Sequence, residues 1–293
     1  MGQLVSCLTV SKPDRWGLLQ RAIIDFGRQT YPDRELIVAV TDARFAEQVE
    51  EFIDTRKLGE AAPVRVIQRD QRDQSGLLLH AQAASRGEYL TPWDDDNLNA
   101  PDRLAVQMEA AKGYALAVTV LGNALYHFFD PAEVFVTGFE QPNVPLSQRA
   151  AVTSMIVPRA VMPAWPHAAR GYSVVSSLAD LLSRQKVKAV VLPGLPYAHM
   201  IGVRGDNARG EEYHRKLATT LPLARKSDWL KANQEGVEKG LAQYTWEPAE
   251  VAVSGPDGVA FKYSTVKRWG SEGHLYPVGE PRDGVTRTTE KVG

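Results

Sequence analysis

The chain is short of several things at once, and each shortage excludes a class of protein. It has one cysteine, Cys7, among 293 residues, so no internal disulfide can staple it. Cys7 stands in an apolar stretch and reads as a small core residue. No run of 18 or more apolar residues occurs, which leaves no candidate membrane-spanning helix. The opening MGQLVSCLTVSKPDRW lacks the basic stretch and apolar core of a secretory signal. Met1-Gly2 is discounted as a myristoylation site because Ser6 falls within a buried strand, and a cytoplasmic location is expected. No Walker-type or dinucleotide glycine fingerprint appears. His127, His167, His199 and His274 show no metal-ligand spacing, and no Ser–His–Asp or Cys–His arrangement can be read.

A net charge is almost absent as well, at −1, but its distribution is uneven. Residues 1–146 carry 14 Lys and Arg against 21 Asp and Glu, whereas residues 147–231 carry 13 against 5. The excess in the middle segment fits either solvated helix faces or an anionic partner: a phosphate-bearing substrate, an anionic lipid surface or nucleic acid.

What is present is an alternation of periods. Gln3–Val10, Glu35–Thr41, Val64–Ile67 and Glu88–Trp93 are apolar runs of strand length. Between them, Trp16, Leu19, Ala22, Ile23 and Phe26 recur at helical spacing, as do Phe45, Val49, Phe52 and Ile53, and then Leu77, Ala81 and Ala84. Strands alternating with helices predict a parallel sheet covered on both faces. A helix through Leu104, Met108 and Ala111 follows Pro101, capped by Asn99 or a neighbour. Further strands are expected at Ala115–Leu125, Ala151–Val157 and Val187–Leu192, with a helix at Leu178–Arg184. Beyond Ala224 the pattern changes to a polar helix over Asp228–Tyr244 and a hairpin around Gly255-Pro256-Asp257-Gly258.

In a parallel sheet, ligands bind outside the carboxyl ends of the strands. Ser11, Asp42 and the run Asp94-Asp95-Asp96 all fall at such ends. Three adjacent carboxylates repel one another and raise each other's pKa unless a cation is present. They read as a solvated turn, a helix cap or a site for a hard, oxygen-seeking divalent ion shared with substrate phosphates. Alternation along a turning strand end would turn Asp94 and Asp96 to one ion and Asp95 elsewhere, to a ribose hydroxyl for example.

The stretches VSCLTVSKPDRWGLLQRAIIDFGRQTYPDRELIVAVTD and RGEYLTPWDDDNLNAPDRLAVQ resemble the family 2 glycosyltransferases. The matches are Gln29–Pro32, Glu35–Ile37, Arg86–Tyr89, Trp93–Asn97 and Pro101–Gln107, in the family's order. The resemblance implies a GT-A, Rossmann-like α/β fold: a mostly parallel sheet flanked by helices, with a small C-terminal helix and hairpin extension. The expected catalytic domain is 1–224, divided into a nucleotide-sugar half (1–110) and an acceptor-side half (111–224), followed by an extension at 225–293.

By that resemblance the chain transfers a sugar, with inversion, from a nucleotide sugar (UDP-linked) to an acceptor hydroxyl on a surface glycan or glycolipid. Peripheral membrane contact is compatible with such an acceptor. Val10, Ser11, Asp42, Trp93, Asp94 and Asp95 are the expected donor-binding residues. Asp94 and Asp96 are the expected ligands of Mn²⁺ or Mg²⁺, with His214 as a further one. Arg204 and Arg209 are candidates for phosphate or acceptor contact. The family's catalytic acids stand just before a helix where this chain has Tyr172 and Ser173, so Asp180 becomes the candidate base. Two other readings stay open. One is transfer to hydroxymethylated bases of phage-type DNA, and the other is a catalytically silent binding or scaffold protein on the same fold.

Overall fold

The computed structural model describes residues 3–60, 62–70, 73–114, 116–129, 131–138, 152–166, 173–192, 199–203, 210–220, 224–244, 250–264, 267–269 and 275–277. The N-terminal half follows the alternation of periods. Strands β1 (Val5–Val10), β2 (Arg34–Val40), β3 (Val64–Gln68) and β4 (Tyr89–Pro92) are linked by α1 (Trp16–Gly27), α2 (Ala43–Thr55) and α3 (Gln74–Ala84). Helices α1 and α2 bury Leu19, Ala22, Ile23, Phe26, Phe45, Val49 and Ile53 against one sheet face. Leu77, Leu78 and Ala81 of α3 cover the other, over Leu8, Ile37 and Ala39. Every residue of β2 is buried, as expected of a strand covered on both sides. Cys7 is wholly buried in β1, where burial pushes its thiol up to about 12.

The strand order is β3-β2-β1-β4, all parallel, with a two-residue antiparallel edge β9 (Val157–Pro158). The chain builds outward from β1 to β3, then returns to add β4 on the other side of β1. That reversal opens a crevice at the carboxyl ends of β1 and β4, the usual ligand position in such sheets.

After β4 the chain leaves this sheet for a second one. Strand β5 (Asn97–Leu98) pairs antiparallel with β11 (His199–Val203). The second sheet has the order β13-β12-β8-β7-β11-β5, built from β7 (Asn123–Phe129), β8 (Ala132–Gly138), β12 (Glu250–Gly255) and β13 (Gly258–Ser264). Residues 93–96, the aspartate run included, are therefore the crossing between two sheets. Helices α4 (Arg103–Ala111), α5 (Val174–Arg184), α6 (Gly210–Thr220), α7 (Ser227–Ala232) and α8 (Gln234–Leu241) complete the layers, and β6 (Val118–Leu121) pairs in parallel with β10 (Ala189–Leu192). Residues beyond 224 share a core with the second sheet: Leu230, Val237, Leu241, Tyr244, Val251 and Val253 pack with Leu98, Leu125, Val134 and Val136.

Several sequence expectations are corrected. The single strand expected at Ala115–Leu125 is two, β6 and the start of β7. The hairpin partner β8 was not anticipated. Where a strand is expected over Ala151–Val157, the described residues 152–157 form a helical turn at Val152–Ser154 followed by short pairing. There the Ser154 hydroxyl accepts from the Leu121 N–H at 2.9 Å, and Ile156 bridges to Thr119. The helix expected over Asp228–Tyr244 breaks at Asn233, whose side chain donates back to the Trp229 carbonyl at 2.9 Å. The hairpin turns where expected, with Gly258 at φ +128°, a conformation suited to glycine.

Asn99 does not cap α4. That helix start is held from outside, because the Gln29 side chain accepts from the Leu104 N–H at 3.1 Å and donates to the Ala100 carbonyl at 2.7 Å. Glu35 plays a similar part. Fully buried, it accepts from Ser6 Oγ at 2.7 Å and from the Arg86 backbone N–H at 2.6 Å. Gly87 then passes so close to β1 that a Cβ there would lie 2.5 Å from Ser6 Oγ and 2.7 Å from the Leu4 carbonyl oxygen.

Burial pushes the Glu35 carboxyl up, but the Arg86 N–H, the Ser6 hydroxyl and the Arg86 and Arg65 guanidinium groups outweigh it and hold it below its ordinary value. A depressed pKa contributes stability above the unfolded-state value of 4.5, and that contribution is lost as pH falls through the folded-state value. Glu35→Gln is therefore expected to destabilise the fold by about 1–2 kcal/mol at pH 7. Urea unfolding should show the two proteins converging on acidification; a constant difference across pH would remove the charge from the account.

Candidate active site

The site grows from the carboxyl ends of β1 and β4. β1 ends at Val10, and Ser11 follows it, buried. Lys12 then turns the chain into a single helical turn, Pro13–Arg15, which leads directly into α1. Proline at the start of that turn presets φ, and the Arg15 N–H donates to the Lys12 carbonyl at 2.9 Å. The turn carries the Arg15 side chain back over the mouth of the crevice.

On the facing strand, the backbone of Trp93 is tied to β1 on both sides. Its N–H donates to the Leu8 carbonyl at 2.9 Å, and its carbonyl accepts from Thr9 Oγ1 at 2.7 Å. The indole points away from the crevice. It is fully buried, donates from Nε1 to the Ala22 carbonyl at 2.9 Å, and meets Phe26 edge-on. Trp93 thus gives the loop its footing, and its ring offers no surface to a donor.

The three aspartates after it are not equivalent. Asp94 and Asp96 are partly exposed, whereas Asp95 is buried. Asp95 accepts from Ser11 Oγ at 2.6 Å and takes a two-pronged contact from Arg15, with Nε at 2.9 Å from one oxygen and Nη2 at 2.6 Å from the other. Rather than facing outward to a ribose, Asp95 joins β4 to β1. Arg15 Nη2 also reaches Asp96 at 2.9 Å. Asp94 accepts from the Asn97 side chain at 3.2 Å.

One guanidinium in direct contact cannot neutralise three ionised carboxylates, and neighbouring like charges in a partly buried place repel more strongly than in water. Burial, then Asp96 and Asp95, push the Asp94 carboxyl up to about 7, against the opposing pull of Arg15 and Arg103. Asp96 is raised by burial and by Asp95.

A buried frame holds the loop from behind. Arg103, almost wholly buried, donates to Thr91 Oγ1 at 2.8 Å before the loop, to Asn99 Oδ1 after it, and to Gln107 at 3.1 Å. Its guanidinium lies 5.2 Å over the Trp93 ring. Asp25 accepts from the Asn99 N–H at 3.2 Å, and burial pushes its carboxyl up to about 6. Sequence reasoning assigned no role to Arg15 or Arg103. The signal for Arg15 was charge complementarity: a lone arginine between a strand end and a helix, facing three acids at the neighbouring strand end.

The remaining candidates fall elsewhere. Asp42, at the end of β2, caps α2: exposed, it accepts from the Phe45 N–H at 2.6 Å. His214 lies on α6, its ring 6.4 Å from Tyr126 and 5.4 Å from Tyr213. Arg215 is spent on Glu133 and Glu211, at 2.7 and 2.9 Å. Asp180 lies on α5, seven residues past its cap Ser173, and so about 10 Å along the axis from the helix start. Ser173 itself accepts from the Ser176 N–H at 3.0 Å. Arg204, Arg209 and Tyr172 lie outside the described residues.

Among the described residues, no three or more His, Cys, Asp or Glu side chains are grouped to hold one ion. Asp94, Asp96 and His214 therefore do not form a ready-made shell. The chemistry of the loop nonetheless fits a hard divalent cation of the Mg²⁺ or Mn²⁺ type. Such ions take one or two carboxylates and complete their shell with phosphate oxygens and water, and of the two partly exposed carboxylates Asp96 shares one guanidinium with Asp95 while Asp94 meets only the Asn97 amide.

The raised Asp94 value sets a sign. The folded state binds more protons than the unfolded state between pH 3.8 and about 7, so stability falls as pH rises through that window. Asp94→Asn is expected to raise the melting temperature at pH 8 in chelator by roughly 2–4 °C, and to change it little at pH 4. Thermal scans with no gain at pH 8 would contradict the charge repulsion.

Comparison with known proteins agrees with this architecture. The glycosyl transferase family 2 model matches residues 13–139, and no curated protein sequence matches the chain. Among solved structures, the mannosyltransferase PcManGT from Pyrobaculum calidifontis, in complex with GDP-Man and Mn²⁺, is similar at a TM-score of 0.52 and 13% identity, over 83% of this chain and 64% of its own. S. aureus TarS 1-349 in complex with UDP-GlcNAc is similar at 0.52 and 13%, over 69% of this chain and 59% of its own. The same TarS segment in complex with UDP gives 0.52 and 13%, over 82% and 79%. The chain spans less than two thirds of the length of the first two. At such identities the likeness bears on the fold. Together with the family match over residues 13–139, it makes the chain similar to the family 2 glycosyltransferases, with the GT-A fold.

Proposed function

We propose that the chain is a metal-dependent, inverting glycosyltransferase that moves a sugar from a nucleotide sugar, UDP-linked, to an acceptor hydroxyl of a surface glycan or glycolipid. The observation that carries this reading is the meeting of Ser11, Arg15 and three aspartates at the switch point of the parallel sheet, with negative charge left over. The complexes of similar structures with UDP-GlcNAc, UDP, and GDP-Man with Mn²⁺ support a nucleotide-sugar donor. Fold alone does not establish a reaction.

In this reading Asp94 and Asp96 hold Mn²⁺ or Mg²⁺. Such an ion, when bound, neutralises charge developing on the departing nucleoside diphosphate. Val10 and Ser11 line the base, and Asp42 accepts from its N–H while still capping α2. Asp95, locked to Ser11 and Arg15, keeps β1 and β4 together beneath the donor. Arg204 and Arg209 remain proposed phosphate contacts, and His214 a proposed further contact to the ion or diphosphate. Asp180 is the proposed base that takes the acceptor proton. Among the described residues no helix is long and apolar enough to cross a membrane, so a lipid acceptor would be met at the bilayer surface.

A second reading, a silent binding or scaffold protein, is favoured by one observation. Where the family carries catalytic acids, Ser173 is occupied as a helix cap.

Calorimetric titration of a panel of nucleotide sugars, with Mn²⁺ and then with chelator, tests the donor site. Asp96→Ala is expected to weaken binding at least roughly 100-fold, the upper end of what losing an outer-shell partner does, with an unchanged circular dichroism spectrum. Undiminished binding would sink the assignment of the site. Asp180→Asn is expected to keep donor binding and lose turnover, measured as nucleotide release with glycan, glycolipid and hydroxymethylated DNA acceptors; normal turnover would remove Asp180 from the reaction. Donor binding without turnover on any acceptor would favour the silent reading.

A further inference from the structure

We propose that Arg15 is the resident counter-ion of the aspartate loop, and that it makes the loop's affinity for a divalent cation depend on a nucleoside diphosphate. This rests on the donor-site reading above and assigns a role to a residue that reading leaves without one.

The two contacts of the guanidinium differ in kind. Toward Asp95 it is two-pronged, and the carboxylate is buried and also held by Ser11. Such a planar fork is the strong arrangement, and it stays. Toward Asp96 it is a single contact, through an Nη2 already committed to Asp95 and to a carboxylate whose side chain is 23% exposed. That contact is the one a cation can take over. Among the described residues no other basic side chain contacts these carboxylates: Lys12 turns outward to Asp14 at 2.8 Å, and Arg103 is engaged with Thr91, Asn99 and Gln107.

A bare divalent ion entering at Asp94 and Asp96 must displace the guanidinium from Asp96 and then sit beside a fixed positive charge. Both effects oppose it. A diphosphate brings negative oxygens to the same place, where they compensate the ion and the guanidinium together. Ion and nucleotide thus bind better jointly than singly, and the coupling is the same whichever binds first. The ion is kept off until the donor arrives, while Arg15 keeps the loop folded in the interval.

The test measures free Mn²⁺ by electron paramagnetic resonance on the full chain, with and without UDP, with GDP as a second probe. In the wild type, UDP is expected to tighten Mn²⁺ binding by roughly 10-fold or more. In Arg15→Gln, Mn²⁺ alone is expected to bind roughly 10-fold tighter than in the wild type, with the coupling reduced by the same factor. Arg15→Lys, which keeps the charge, is expected to retain most of the coupling. Mn²⁺ binding to Arg15→Gln that is no tighter, or coupling that is unchanged, would overturn the role of Arg15 and leave the donor site standing. If Arg15→Gln loses its circular dichroism signature, the wild type decides: coupling below about twofold overturns the proposal. Wild-type protein that takes up no Mn²⁺ with either nucleotide would overturn the donor site itself, and this proposal with it.

Discussion

The fork between Arg15 and Asp95, closed by Ser11, is the contact on which the site depends. It joins the turn after β1 to the loop after β4 at the point where the sheet reverses its order. Without it, three carboxylates would face one another across a partly closed crevice. With it, one carboxylate becomes part of the structure and two remain available. The loop is therefore stable enough to exist and charged enough to seek a cation, a balance that a fully neutralised or a fully bare cluster would not have.

That balance needs a rigid footing, which is made of buried polar groups more than of apolar packing. Arg103 ties Thr91 to Asn99 across the loop, Gln29 holds the start of α4, and Glu35 clamps Arg86-Gly87 to β1. Each is buried and each has its hydrogen-bond partners, the condition under which such groups rigidify a fold instead of weakening it. The loop also crosses from one sheet to the other. Its far end, β5, pairs with β11 and packs on Leu230, Val237 and Tyr244 of the C-terminal segment, so residues beyond 224 support the aspartates from a distance.

The motifs legible in the sequence turn out to be of two kinds. Asp94 and Asp96 lie at a strand end and stay partly exposed, whereas Ser11, at the end of β1, is buried against Asp95. Gln29, Glu35, Gly87 and Arg103, which lie within the same recognisable stretches, are the frame behind the loop. A reading of spacing does not separate the two kinds, because both lie next to the same strands. Trp93 shows the ambiguity at one residue: adjacent to the aspartates in sequence, it has its ring turned into the core against Phe26 and Arg103.

By itself the sequence determined the alternating α/β half, its buried strands and the placing of acids at the carboxyl end of β4, because hydrophobic periodicity and strand length are local properties. The tertiary structure alone decided that Asp95 faces Arg15, some 80 residues away in the chain, and that the loop bridges two sheets. It also decided that Val152–Ser154 forms a helical turn and that Asp180 lies well along α5 from the helix start. Those outcomes depend on which strand lies beside which, and on where a guanidinium or an amide finds its partner. Such pairings are set by the folded arrangement of distant segments, and no local pattern encodes them.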